Sequence, residues 1–141
     1  MSQDLKGKNV FYTAKVRTEG DRNGGVSRSD DGRISLTHTL PGAAGTGTNS
    51  EQLLAAGWAA CFQGAMAFAA RTMKVSIPSG SAIDAEVDLL QGEDGYSLQA
   101  RFEISVPGVP RDTALALIES AHQTCPYSKA LRGIPMELKL V

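Results

Sequence analysis

The chain is poor in the features that most often declare a function. Of its 141 residues only two are cysteines and two are histidines. No CxxC pair occurs, the cysteines stand 64 positions apart, and His38 and His122 have no ligand spacing to either. A metal site is therefore not expected. Neither sign of charge prevails, with 14 Lys and Arg against 15 Asp and Glu. That balance removes the basic footprint of a nucleic-acid or anionic-lipid binder. The opening residues, Met-Ser-Gln-Asp-Leu-Lys-Gly, hold no apolar run of the secretory type, so the cytoplasm is the expected compartment. In a reducing compartment two cysteines do not serve as a structural staple. They are either core thiols or a redox pair.

Charge is also missing from Gln52 to Ala70, nearly the length of a membrane span. The stretch is built from Ala and Gly with Gln52 and Gln63, a composition that transfers poorly into lipid. A helix apolar all round is equally what a fully enclosed protein helix looks like. The expectation is a buried helix and no membrane.

What is present suits one domain over residues 1–141, since 42% of the chain is apolar and halving it would leave neither half a core. Residues 10–18 alternate with period two, as a half-buried strand does. Gly20 to Gly32 is a polar, glycine-rich loop or hairpin connection, and 33–40 alternates again with Ile34, Leu36 and His38 on one side. The uncharged helix follows, ending near Arg71 to Lys74, where cations suit a helix C-terminus. Ile83, Ala85, Val87 and Leu89 then face one way, as do Tyr96, Leu98, Ala100, Phe102, Ile104 and Val106. Gln91-Gly92-Glu93-Asp94-Gly95 makes the hairpin turn between them. A second helix from Pro110 to Thr124 takes Asp112 as its cap and Ala114, Leu117, Ile118 and Ala121 as its apolar stripe. Residues 136–141 close the chain as a strand. The order β-β-α-β-β-α-β, with helices set against antiparallel strands, predicts an α+β fold.

Taken alone, Cys61 inside the first helix reads as a small core residue. Cys125 is more suggestive. Pro126 disfavours helical geometry before it and is at home opening a new helix. Cys125 thus falls at a break, beside the N-terminus of a short helix over residues 126–131, where unpaired N–H groups can lower a thiol pKa. His122, one turn earlier, could stack over that thiol. The Gly42–Thr48 run lacks the Lys-Ser/Thr of a phosphate loop and the order of GxGxxG, and reads as a flexible helix entry. Thr48 and Glu51 match a capping box.

Four stretches, in order and spacing over nearly the whole chain, resemble the Ohr branch of the OsmC/Ohr superfamily. Gly20-Asp21-Arg22-Asn23-Gly24 is similar to its glycine-flanked arginine loop, with Asp21 where the family has glycine. Gly45 to Leu53 is similar to its GAGTNPEQL segment, with Ser50 in place of proline. Ala55-Ala56-Gly57-Trp58-Ala59-Ala60-Cys61-Phe62 resembles its peroxidatic-cysteine helix. Ala121-His122-Gln123-Thr124-Cys125-Pro126-Tyr127-Ser128, with Arg132-Gly133 after it, resembles its resolving-cysteine segment.

The resemblance implies a peroxidase with Cys61 as peroxidatic and Cys125 as resolving cysteine, and Arg22 and Glu51 as the activating pair. It implies organic hydroperoxides, fatty-acid ones included, as substrates, and dihydrolipoyl groups on lipoylated protein as reductant. It further implies an antiparallel sheet around a buried central helix that carries the peroxidatic cysteine, in an intertwined homodimer. An OsmC-type peroxidase of broader range and a redox-sensing dimer without turnover are the alternatives. Trp58, Phe62, Met66 and Phe68 are expected to line the site for an organic tail. Glu51 and Cys61 are ten positions apart, about 15 Å along a continuous helix, too far for one guanidinium. Either the helix begins after Glu51, or Glu51 serves Cys61 of the partner subunit.

Overall fold

The structure, a computed structural model, describes residues 5–141. Its contacts gather into two units, one ending at Asn49 and the other running from Ser50 to Val141.

The first unit is a three-stranded antiparallel sheet of β1 (Val16–Glu19), β2 (Val26–Ser29) and β3 (Ser35–Thr37), in the order β1-β2-β3. Val16 lies opposite Ser29 and Val26 opposite Thr37. Two expectations change here. Residues 10–15 form no strand, and Val10, Phe11 and Tyr12 are exposed. Alternation alone does not make a strand, because the backbone needs a ladder partner and β2 is long enough to pair only with 16–19. Conversely, β2 lies inside the polar span read as a connection. Its one buried residue is polar, so the apolar period could not announce it: Ser27 holds Thr18 Oγ1 and His38 Nε2, each at 2.7 Å.

In the second unit, α1 (Ser50–Met73) packs on a sheet of β4 (Ala82–Gly92), β5 (Gly95–Ser105) and β6 (Met136–Leu140), with α2 (Arg111–Thr124) and α3 (Pro126–Ala130) between β5 and β6. The β4–β5 hairpin turns at Glu93-Asp94, as expected, and sets Ala85 opposite Phe102. Its inward positions Ala100, Phe102 and Ile104 form the core with Trp58 and Phe62 of α1. Both of those rings meet Phe102 edge-on, with centroids 5.5 and 5.4 Å away, the geometry the aromatic quadrupole favours. On the outer face Arg101 joins Glu86 and Asp88 at 2.7 Å each, holding the Asp88 carboxyl below its ordinary range.

The sheet is mixed rather than antiparallel throughout, because β6 runs parallel to β5, Ala100 beside Met136. Two helices intervene between these strands, and such a crossover returns the chain in the same direction. The stripe Ala114, Leu117, Ile118 and Ala121 of α2 is buried as expected. Asp112 is not its cap, since the helix begins at Arg111 with Pro110 in the capping position and no side-chain cap bond. α1 starts at Ser50, two residues after Thr48, with Glu51 in its first turn. Within one chain α1 is buried on one side only. Trp58, Phe62, Met66, Ala69 and Ala70 face inward, while Leu53, Ala56, Ala60, Gly64 and Phe68 are exposed. The helix also has the length and hydropathy of a membrane span, although its inner face is packed in protein.

Candidate active site

The two cysteines, 64 residues apart in sequence, meet in space: Cys61 Sγ and Cys125 Sγ are 3.2 Å apart, and both are free thiols. Cys61 sits mid-helix on α1 and is partly accessible, whereas Cys125 is fully buried. The break at Pro126 falls where the sequence placed it. Cys125 caps α3 with extended geometry (φ −60°, ψ 122°), and Pro126 opens the helix. The Cys125 N–H still donates to Ala121 O at 2.8 Å, while its carbonyl accepts from Lys129 at 2.9 Å. One residue thus ends α2 and starts α3.

Burial pushes the Cys61 thiol above its ordinary value. The backbone N–H of Tyr127, at the start of α3, bonds the sulfur and pulls the other way, while Cys125 beside it adds to the rise. None of these influences is a cation. A thiol in this setting needs positive charge from elsewhere to ionise near neutral pH.

Arg22 lies on the Asp21–Gly25 connection between β1 and β2. That connection is closed by Gly25 N–H to Asp21 O at 2.9 Å and by Arg22 N–H to the Asp21 carboxylate at 2.6 Å. The His38 backbone clamps it again, its carbonyl accepting from Gly24 N–H and its N–H donating to Gly25 O. Gly25 has to be glycine, since a Cβ there would strike Asp21 O and come within 2.7 Å of Glu19 O. Asp21, at the position where the resemblance departs from glycine, therefore acts as a brace of the loop.

Glu51 stands in the first turn of α1, accepting from Ser50 Oγ at 3.0 Å. It shares one unbroken helix with Cys61, so the alternative in which the helix begins after Glu51 is overturned. The two remain about 15 Å apart along the axis. The His122 ring lies 6.5 Å from the Phe62 ring, and its buried Nδ1 has no hydrogen-bond partner. Of the four residues expected to line the site, Trp58, Phe62 and Met66 belong to the core, and Phe68 is 60% exposed. An apolar cavity of about 180 Å³, lined by Gln63, Met66, Ile77 and Ile104, faces away from the thiol, because Gln63 is about 200° round the helix from Cys61. No cluster of three or more His, Cys, Asp or Glu able to hold a metal occurs among the described residues.

Sequence reasoning missed two contacts between α1 and α3 near the thiols. The Trp58 indole N–H donates to Ser128 Oγ at 2.9 Å in a buried bond, and the Tyr127 ring lies against Gly57. The only signal was spacing, with Trp58 three before one cysteine and Ser128 three after the other.

Comparison with known proteins identifies the family. Residues 42–139 match the family model described as OsmC-like protein. The organic hydroperoxide resistance protein of Xanthomonas axonopodis pv. citri is 42% identical over 127 residues, 88% of this chain and 89% of that one. The crystal structure of OhrB, an organic hydroperoxide resistance protein of Bacillus subtilis, superposes with a TM-score of 0.87 at 38% identity, over 94% of this chain and all of that one. An organic hydroperoxide resistance protein from Legionella pneumophila gives 0.86 at 34% identity, over 94% and 98%. An adjacent pair of thiols at a helix break, in an α+β frame shared along nearly the whole length with these proteins, places the chain in the OsmC/Ohr family, among the organic hydroperoxide resistance proteins.

Proposed function

We propose that this protein is a two-cysteine peroxidase that reduces organic hydroperoxides, as the names of its relatives suggest. The 3.2 Å approach of the two free thiols is the observation that carries the reading. Cys61, the more accessible sulfur, is the nucleophile. Its thiolate attacks the outer peroxide oxygen, the O–O bond breaks, and the alkoxide leaves as alcohol once protonated. Cys61 is then a sulfenic acid. Cys125 attacks that sulfur, a disulfide forms and water departs, which forestalls sulfinic acid. A dihydrolipoyl dithiol, free or on a lipoylated protein, reopens the bond by exchange.

Because burial pushes the Cys61 thiol up, the reading requires a cation, and Arg22 is assigned to it. A guanidinium cannot be titrated away, and its fork can hold a sulfur anion and a peroxide oxygen together. Glu51 orients that fork by a paired hydrogen bond. The 15 Å separation on one helix makes this Glu51 serve Cys61 of the partner subunit. A homodimer also covers the outer face of α1, whose Leu53, Ala56, Ala60, Gly64 and Phe68 form an apolar stripe of the kind an isologous contact buries. The family match and the structural matches run across the boundary at Asn49, which supports one functional domain over 1–141, acting in the cytoplasm.

The test is a dihydrolipoamide-coupled assay with cumene hydroperoxide. Cys61→Ser should turn over no peroxide. Cys125→Ser should consume about one equivalent per site and then stall or become overoxidised, as follows when the resolving thiol is removed. Sustained turnover by Cys61→Ser refutes the assignment.

A further inference from the structure

In a two-cysteine cycle the sulfenic acid has two fates. Cys125 can displace its hydroxyl, which leaves as water with the Cys125 proton and forms the S–S bond. Alternatively, a second peroxide oxidises Cys61 to sulfinic acid, a dead end for a thiol-driven cycle. The outcome depends on how closely Cys125 is held in attacking position. That position is not secured locally, since Cys125 leads into a five-residue helix, too short to be stable alone.

Two contacts tie α3 to α1 one turn before Cys61. Trp58 Nε1–H donates to Ser128 Oγ at 2.9 Å, with Trp58 only 1% and Ser128 2% exposed. One residue earlier on each element, the Tyr127 ring rests on Gly57. A Cβ on Gly57 would stand 3.0 Å from the Tyr127 hydroxyl oxygen and 3.4 Å from two ring carbons. Glycine weakens a helix interior, and here it makes room for that ring. Both contacts bring the chain after Cys125 onto the turn before Cys61, and the two sulfurs sit 3.2 Å apart beside them.

We propose that the Trp58–Ser128 hydrogen bond and the Gly57–Tyr127 seat are positioning devices for resolution: they hold Cys125 on Cys61 so that the disulfide closes before a second peroxide reacts. The inference rests on the two-cysteine reading above. It assigns Trp58, Gly57, Ser128 and the ring of Tyr127 to the second chemical step, while the Tyr127 backbone N–H stays on the Cys61 sulfur.

The experiment follows reduced full-length protein through a limited pulse of cumene hydroperoxide. Peroxide loss reads the first step, and mass spectrometry reads Cys61 as disulfide or sulfinic acid. In Ser128→Ala, consumption of the first equivalent should stay within about twofold of wild type, while sulfinic acid per turnover rises roughly tenfold, the factor a lost buried hydrogen bond carries. The double variant Trp58→Phe/Ser128→Ala should overoxidise no more than the worse single, because each single already breaks the same bond. Gly57→Ala leaves that bond in place and presses on Tyr127, so it should overoxidise too, and it carries the test should Ser128→Ala fail to fold. Wild-type partition in both Ser128→Ala and Gly57→Ala, or a first step that slows in parallel with resolution, overturns the proposal. Wild type that forms no disulfide between Cys61 and Cys125 overturns the two-cysteine reading itself.

Discussion

The proposed chemistry turns on one sulfur, Cys61, whose own surroundings oppose its ionisation. Burial raises the Cys61 pKa, Cys125 raises it further, and only the Tyr127 amide pulls it down. If Arg22 supplies the missing charge, its loss should expose that bias. With Cys125→Ser in both backgrounds, the pH midpoint for Cys61 alkylation by iodoacetamide should lie below the free-thiol value of about 8.5 with Arg22 present, and above it in Arg22→Gln. The sign carries over to stability. A thiol whose folded pKa is raised binds its proton more tightly in the folded chain. In Arg22→Gln its contribution is therefore complete below the unfolded-chain value and lost as pH rises through the folded one. Equal midpoints with and without Arg22 would remove the guanidinium from the mechanism. Both cysteines could be read from the sequence as residues. Their meeting could not, since nothing local across a separation of 64 positions states that Ser128 will find Trp58.

Among the elements, β5 bears the most weight. It is the central strand, paired with β4 on one side and β6 on the other, and Phe102 is where the rings of α1 converge. Phe102→Ala should cost about 3–5 kcal/mol, the range for emptying a buried aromatic site, read as a lower urea midpoint with little change in slope. A loss under 1 kcal/mol would show that the core closes over the gap. The β4–β5 hairpin, α2 and the Cys125–Pro126 break were legible because each is written in short-range pattern: period two, period 3.6, and a proline that stops one helix and starts another. The failures came where pairing decides. Residues 10–15 have the period of a strand without forming one, β2 has a partner without the period, and β6 takes its direction from the path of two helices.

The whole molecule is implicated because α1 has two unlike faces, one in the core and one of Leu53, Ala56, Ala60, Gly64 and Phe68 left bare. In the proposed dimer, a site needs residues from both copies. Mixing Glu51→Gln subunits with Cys61→Ser subunits should then restore peroxidase activity in the mixed dimer, where an intact Cys61 meets an intact Glu51 across the interface. Mixtures that stay as inactive as the separate variants would place Glu51 and Cys61 in the same copy or outside the mechanism. By itself the sequence determined the α+β class, the uncharged helix, the cysteine at the proline break and the family resemblance, because each is encoded within a few residues. Tertiary structure alone decided that the thiols touch, that Trp58, Phe62 and Met66 are buried in the core, and that α1 runs unbroken past Glu51. Those outcomes depend on which surfaces exclude water together, a property of the folded chain that no local pattern carries.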